Sequence, residues 1–216
     1  MTARDDVLAA VRAALAPGRA TGAGREGHAP DGDDGTAPGG PWDGAHAASG
    51  LDRAAMLDLF AERVADYRAS VIRCAADDLA ATVALALEES RSVVVPPGLE
   101  LDVPGAIVDR GLTSAELDAV DAVVTTAAVG IAETGTVVLD HGAGQGRRVI
   151  SLLPDLHVCV VRESQVVPDV PDALARLRAE RPQTWVSGPS ATSDIELSRV
   201  EGVHGPRRLH VVLVAD

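Results

Sequence analysis

The segment His157-Val158-Cys159-Val160-Val161 constrains the fold more than any other, because its apolar residues run on without alternation. A strand with one wetted face alternates apolar and polar side chains. One that stays apolar must be covered on both faces, the condition of a central strand in a parallel sheet. Ser92-Val93-Val94-Val95, stopped by Pro96-Pro97, reads as a second buried strand, and Leu209-His210-Val211-Val212-Leu213-Val214 closes the chain as another. Upstream, Met56, Phe60, Val64 and Tyr67 recur at helical spacing, Ser70-Val71-Ile72-Arg73-Cys74 reads as a short strand, and Leu79, Val83 and Leu87 mark the inward face of a helix. Strand, helix, strand at this spacing is a βαβ unit.

The remaining elements extend the pattern. Thr113-Ser114-Ala115-Glu116 has the form of a capping box and opens a short helix to Val120. Ala122–Thr126, Thr136–Leu139 and Thr184–Ser187 predict strands, and Pro171 suits the first position of a helix running to Glu180. Repeated βα alternation predicts an α/β fold with a Rossmann-like, mostly parallel sheet and helices on both faces. In such sheets ligands bind beyond the carboxyl ends of the strands.

Composition divides the chain into three. Val7, Leu8, Val11 and Leu15 form a helical stripe behind a Thr2 cap, so residues 1–16 are expected to form a helix. Residues 17–50 hold ten of the chain's 21 glycines and almost nothing large and apolar, the composition of a flexible linker. The α/β domain occupies 51–216. Gly22-Ala23-Gly24-Arg25-Glu26-Gly27 spells GxGxxG, but the dinucleotide motif needs a strand before it and a helix opening on it. With neither, the match is compositional.

Charge and residue usage exclude several chemistries. A net charge of -13 disfavours nucleic acid and anionic lipid as partners, and four scattered aromatics, Trp42, Phe60, Tyr67 and Trp185, make no base-stacking platform. All 19 basic residues are Arg, which removes a Walker A lysine and a Schiff-base lysine. Cys74 and Cys159 form no CxxC and are fewer than the roughly four thiolates an iron–sulfur cluster takes. With no charged and apolar leader opening the chain and no disulfide framework, the expected location is the cytoplasm.

Chemistry concentrates in two polar islands. Gly188-Pro189-Ser190 follows a strand and precedes a helix-compatible stretch, so its backbone N–H groups would face an anion, with Ser190, Thr192 and Ser193 adding hydroxyls. The same residues also describe a capped helix start, with Ser190 or Ser193 as N-cap and Asp194 and Glu196 in the first turn. In the other island, Glu133-Thr134-Gly135-Thr136, the carboxylate could serve as base, nucleophile or hydroxyl-binding group, or be a turn carboxylate held by Thr134 and Thr136. Arg147 and Arg148 end a glycine-rich loop, His141–Gly146, that reads as flexible and ligand-covering; they could pair bidentately with an anion or lie solvated. His157 reads as a satisfied strand-end histidine, whereas His204, between Gly202 and Gly205, lies on a constrained loop. No histidine spacing resembles a zinc signature, and no metal is expected.

Taken in order, Gly130-Ile131-Ala132-Glu133-Thr134-Gly135-Thr136, then Arg147-Arg148 with Leu152-Leu153-Pro154 and His157, then Gly188-Pro189-Ser190 with Asp194-Ile195-Glu196, then Gly202-Val203-His204-Gly205-Pro206 resemble the LUD domain family in its lactate-utilisation branch. The resemblance covers roughly Phe60 to Val214. It implies a fold similar to the NagB/RpiA/CoA-transferase-like group. It also implies an accessory, non-iron–sulfur subunit in the oxidation of L-lactate to pyruvate, with iron–sulfur clusters on partner subunits. On that reading the islands bind a small carboxylate such as lactate, or a partner's surface. Arg147 or Arg148 and the amides near Ser190 would hold the carboxylate, and Glu133 or His204 would face the hydroxyl, with Thr134, Gly135, Thr136, Gly188, Thr192, Ser193, Asp194 and Glu196 lining the site. Ala191 stands where the family often has a basic residue and Ser193 where alanine is common, which takes away a contact to a ligand anion. The alternative is a stand-alone small acyl- or CoA-transferase-like enzyme with Glu133 as nucleophile, and a scaffold without a ligand is the third.

Overall fold

The computed structural model describes residues 50–192, 200–201 and 205–216, all within the unit Gly44–Asp216. The expected helix over 1–16 and nearly all of the linker lie outside the described residues, as do Ser193, Asp194, Glu196 and His204. In chain order the elements are α1 (Arg53–Asp66), β1 (Ser70–Cys74), α2 (Leu79–Ala86), β2 (Val93–Val95), β3 (Ile107–Val108), α3 (Ser114–Asp118), β4 (Ala122–Thr126), β5 (Val129–Ile131), β6 (Thr136–Leu139), β7 (Leu156–Arg162), β8 (Val166–Val167), α4 (Val170–Arg176), β9 (Thr184–Val186), β10 (Ala191–Thr192), β11 (Val200–Glu201) and β12 (Arg208–Val214).

Six strands form one sheet in the order β1-β12-β7-β4-β2-β3, and every pairing in it is parallel. The uninterrupted apolar strands β7 and β12 lie side by side in its interior, where both faces are covered. Met56, Leu57, Phe60 and Val64 of α1 pack with Cys159, Val161, Leu209, Val211 and Leu213 on one face. Val83 and Leu87, in and just after α2, pack with Val158, Val160, Val212 and Val214 on the other. Helices therefore cover both faces, as the βα alternation predicts.

A second sheet departs from that pattern. Its four strands run β8-β5-β6-β9, with β6 antiparallel to both β5 and β9. Thr184–Val186 belongs here and not to the parallel sheet. The small sheet is itself a sandwich filling: Val137, Leu139 and Val166 face α1, while Val129, Ile131, Val138 and Val167 face Ala173 of α4. Gly130 lets β5 lie against Phe60, since a Cβ there would stand 3.1 Å from the ring.

Local signals decide the ends. The capping box forms as read, with Thr113 Oγ1 accepting from Glu116 N at 3.2 Å and Glu116 Oε2 accepting from Thr113 N at 2.7 Å. Helix α4 stops at Arg176, short of the expected Glu180, because Leu177 turns to extended backbone. Tyr67 caps α1 exposed to solvent instead of joining its apolar face. The glycine-rich loop is tied to its surroundings by hydrogen bonds. Gly142 N donates to Asp140 Oδ1, the buried Gln145 side chain accepts from Asp140 N, and Thr126 N donates to Gly144 O.

Candidate functional site

A cleft of about 280 Å³ opens at the amino-terminal ends of β7 and β12, not beyond the carboxyl ends where the alternation rule alone would look. β9 and the Gly188-Pro189-Ser190 loop form one wall, Arg148, Ser151 and Leu152 another, and His157 and Leu209 line it from the parallel sheet. The loop is pinned from across the cleft, Ser190 N donating to Pro206 O at 2.9 Å. Ala191 and Thr192 continue as β10, paired antiparallel with β11, so Ser190 does not begin a helix there. With the Ser190 amide committed and no N–H on Pro189, the expected row of free backbone donors is absent at those two positions. The Arg148 guanidinium and the Ser187 and Ser190 hydroxyls line the cleft beside this loop.

Pairing of β6 with β9 brings the two islands together. Val137 is opposite Val186, which puts Thr136 beside Ser187: their hydroxyls are 2.8 Å apart, and Thr134 Oγ1 is 2.7 Å from Thr136 Oγ1. A relay of three hydroxyls thus runs from the tip of the β5–β6 hairpin to the cleft wall. Both islands also rest on the last turns of α1. Gly135, at φ +59, would place a Cβ 2.4 Å from the Arg63 carbonyl carbon, and Gly188, at φ +80, would place one 2.5 Å from Tyr67 Cβ. Only glycine fits either position.

The paired arginines part company. Arg147 makes a bidentate bond to Asp109, Nε to Oδ2 at 2.7 Å and Nη2 to Oδ1 at 2.9 Å, and also donates to Leu112 O. Its guanidinium holds the buried Asp109 carboxyl below the usual carboxylate range, assisted by the Leu112 and Gly111 amides. Arg148 lines the cleft. Glu133 is half-buried at the hairpin tip, its N–H donating to Pro168 O at 3.0 Å, and is not among the cleft-lining residues.

His157 is the satisfied strand-end residue its position predicts, with Nε2 2.8 Å from Thr125 Oγ1. It also lines the cleft, and burial pushes its pKa down to about 4, so the ring is neutral at ordinary pH. Ser187, Thr184 and Trp185 carry no local sequence mark as cleft residues, because their placement depends on β9 pairing with β6. His141 braces that wall at a left-handed φ of 57. Its Nδ1–H donates to Gly146 O at 2.8 Å, so in the neutral ring Nε2 accepts from the Thr184 hydroxyl at 3.0 Å.

A parallel sheet backed by helices, carrying a mixed sheet whose loop walls a polar cleft, defines an α/β domain of two main sheets. Residues 99–214 match the LUD domain family, and the chain belongs to it. It is 51% identical over 173 residues to the lactate utilization protein C of Deinococcus radiodurans, covering 76% of this chain and 82% of that protein. A lactate utilization protein C of Geobacillus sp. is 35% identical over 101 residues, 43% of this chain and 42% of that one. The crystal structure of a DUF162 family protein from Deinococcus radiodurans superposes with a TM-score of 0.66 at 45% identity, covering 76% of this chain and 99% of that chain. Among the described residues no helix is long and apolar enough to cross a membrane.

Proposed function

We propose that this chain serves lactate utilisation by binding a small 2-hydroxy or 2-oxo carboxylate in the cleft, as a subunit whose redox chemistry is carried by iron–sulfur partners. The observation that carries the reading is the convergence of Arg148, Ser187, Ser190 and neutral His157 on one cleft. A guanidinium pairs with a carboxylate, and a neutral imidazole beside hydroxyls can bond to the adjacent hydroxyl or keto oxygen. The names of the relatives support the substrate. Two cysteines supply fewer than the roughly four thiolates of a cluster, which supports placing redox centres on other chains.

Thermal unfolding of the full chain with L-lactate, pyruvate, acetyl-CoA and phosphate in turn tests this. A ligand at a hundred times its Kd stabilises the fold by about 2.7 kcal/mol. Lactate or pyruvate is expected to raise the midpoint, and Arg148→Ala to abolish that shift. A midpoint indifferent to both carboxylates, with lactate-dependent growth unchanged in Arg148→Ala and Ser190→Ala strains, would overturn the proposal. A response to acetyl-CoA alone would favour transferase chemistry instead.

A further inference from the structure

The parallel sheet carries a second crevice at its other end. The connections leaving β2 and β4 pass to opposite faces: Leu99, Leu101, Val103 and Ala106 follow β2 and pack with Val95, Val124 and Val160 on the α2 side, whereas Ala127, Val137 and Leu139 follow β4 and pack on the α1 side. Neighbouring parallel strands whose connections diverge leave a gap at their carboxyl ends, where sheets of this class take ligands. β2 and β4 are such neighbours, and a crevice of about 270 Å³ lies there between Gly98, Thr126 and Arg162.

The rim is rigid. Gly144 N donates to Pro97 O at 3.2 Å and Gly144 O accepts from Thr126 N at 2.8 Å, holding the glycine-rich loop across the strand ends. A Cβ on Gly144 would stand 2.9 Å from Thr126 Oγ1. Leu79, Leu99, Leu101 and Val160 make an apolar wall. Facing it are Thr126, Glu100 and the exposed Arg162, which makes no ion pair with any described residue. Gln165 is spent, its Nε2 donating to Ala127 O at 2.7 Å and its Oε1 accepting from Arg162 N at 2.8 Å.

We propose that this crevice is a second site, for a nucleotide, with its phosphate on Arg162, its ribose hydroxyls toward Glu100 and its base against the leucines. An arginine beside an apolar wall suits an anion with a flat apolar body, and the Glu100 carboxylate accepts from hydroxyls while repelling a bare anion. The site is separate from the cleft at the amino ends and does not depend on its function.

Calorimetry on the full chain with AMP, adenosine and inorganic phosphate tests it. AMP is expected to bind, with adenosine and phosphate each at least about tenfold weaker. Arg162→Ala should weaken AMP about 10–100-fold with an unchanged circular dichroism spectrum, and Arg162→Lys should restore part of the loss. Glu100→Gln should weaken AMP but not phosphate. No AMP binding at about 1 mM, phosphate binding as tightly as AMP, or AMP binding unaltered in Arg162→Ala would each overturn the assignment.

Discussion

The hydroxyls of Thr136 and Ser187 meet at 2.8 Å although 51 residues separate them in the chain. Through that contact the hairpin tip carrying Glu133-Thr134-Gly135 is coupled to the wall of the cleft, by way of a buried Thr136 that also bonds to Thr134.

Replacing Thr136 with Val keeps the shape and removes the middle of the relay. The expected cost is about 1–2 kcal/mol, read from urea unfolding. In a double-mutant cycle with Ser187→Ala the two losses should be less than additive, by about 0.5 kcal/mol or more. Additive losses would show that the two hydroxyls are not coupled.

Gly135 and Gly188 should tolerate no side chain. Alanine at either meets the α1 backbone or Tyr67 well inside contact distance as well as a left-handed φ, so each substitution is expected to cost about 3 kcal/mol or more. Gly105, at φ +77 with nothing within 4 Å of a Cβ, serves as the control, with about 1–2 kcal/mol from backbone strain alone. Thermal midpoints should rank Gly105→Ala above both; equal midpoints would contradict the close packing of the islands on α1.

His157 sets a pH dependence. Its folded pKa of about 4 lies below the usual 6.5, so the folded state resists a proton that the unfolded state accepts. The native fold is therefore unpenalised above about pH 6.5 and loses stability as pH falls toward 4, by about 2 kcal/mol at pH 5. The pKa of His210 is lowered in the same sense, chiefly by burial. Urea titrations at the two ends of this range should show the loss, and His157→Gln should flatten it; an unchanged slope would locate the titration elsewhere.

Arg147 and Arg148 should separate by assay. Arg147→Ala leaves the Asp109 carboxylate buried without its partner and is expected to cost about 1–3 kcal/mol while leaving the carboxylate response of the cleft in place. Arg148→Ala should do the reverse, sparing the unfolding midpoint and removing the ligand shift. The same outcome in both variants would contradict their division of roles.

Much of the fold is legible in the sequence because the decisive signals are local. Unbroken apolar runs such as His157–Val161 need cover on both faces, and the Thr113–Glu116 box closes within one turn. The site is less legible. Ser187 and Thr184 carry no local mark of function, and adjacent Arg147 and Arg148 look equivalent until Asp109, 38 residues away from Arg147, claims one of them.

The sequence by itself determined the α/β class, the central strands and the polar, glycine-bearing stretches, since periodicity and backbone permissiveness act over a few residues. Only the tertiary structure decided that β9 leaves the parallel sheet to pair with β6, that the islands meet on α1, and that their cleft opens at the amino ends of β7 and β12. Strand partnership is the physical reason: a strand's pattern states how its faces are covered, while its hydrogen-bonding edges accept any neighbour that long-range packing brings to them.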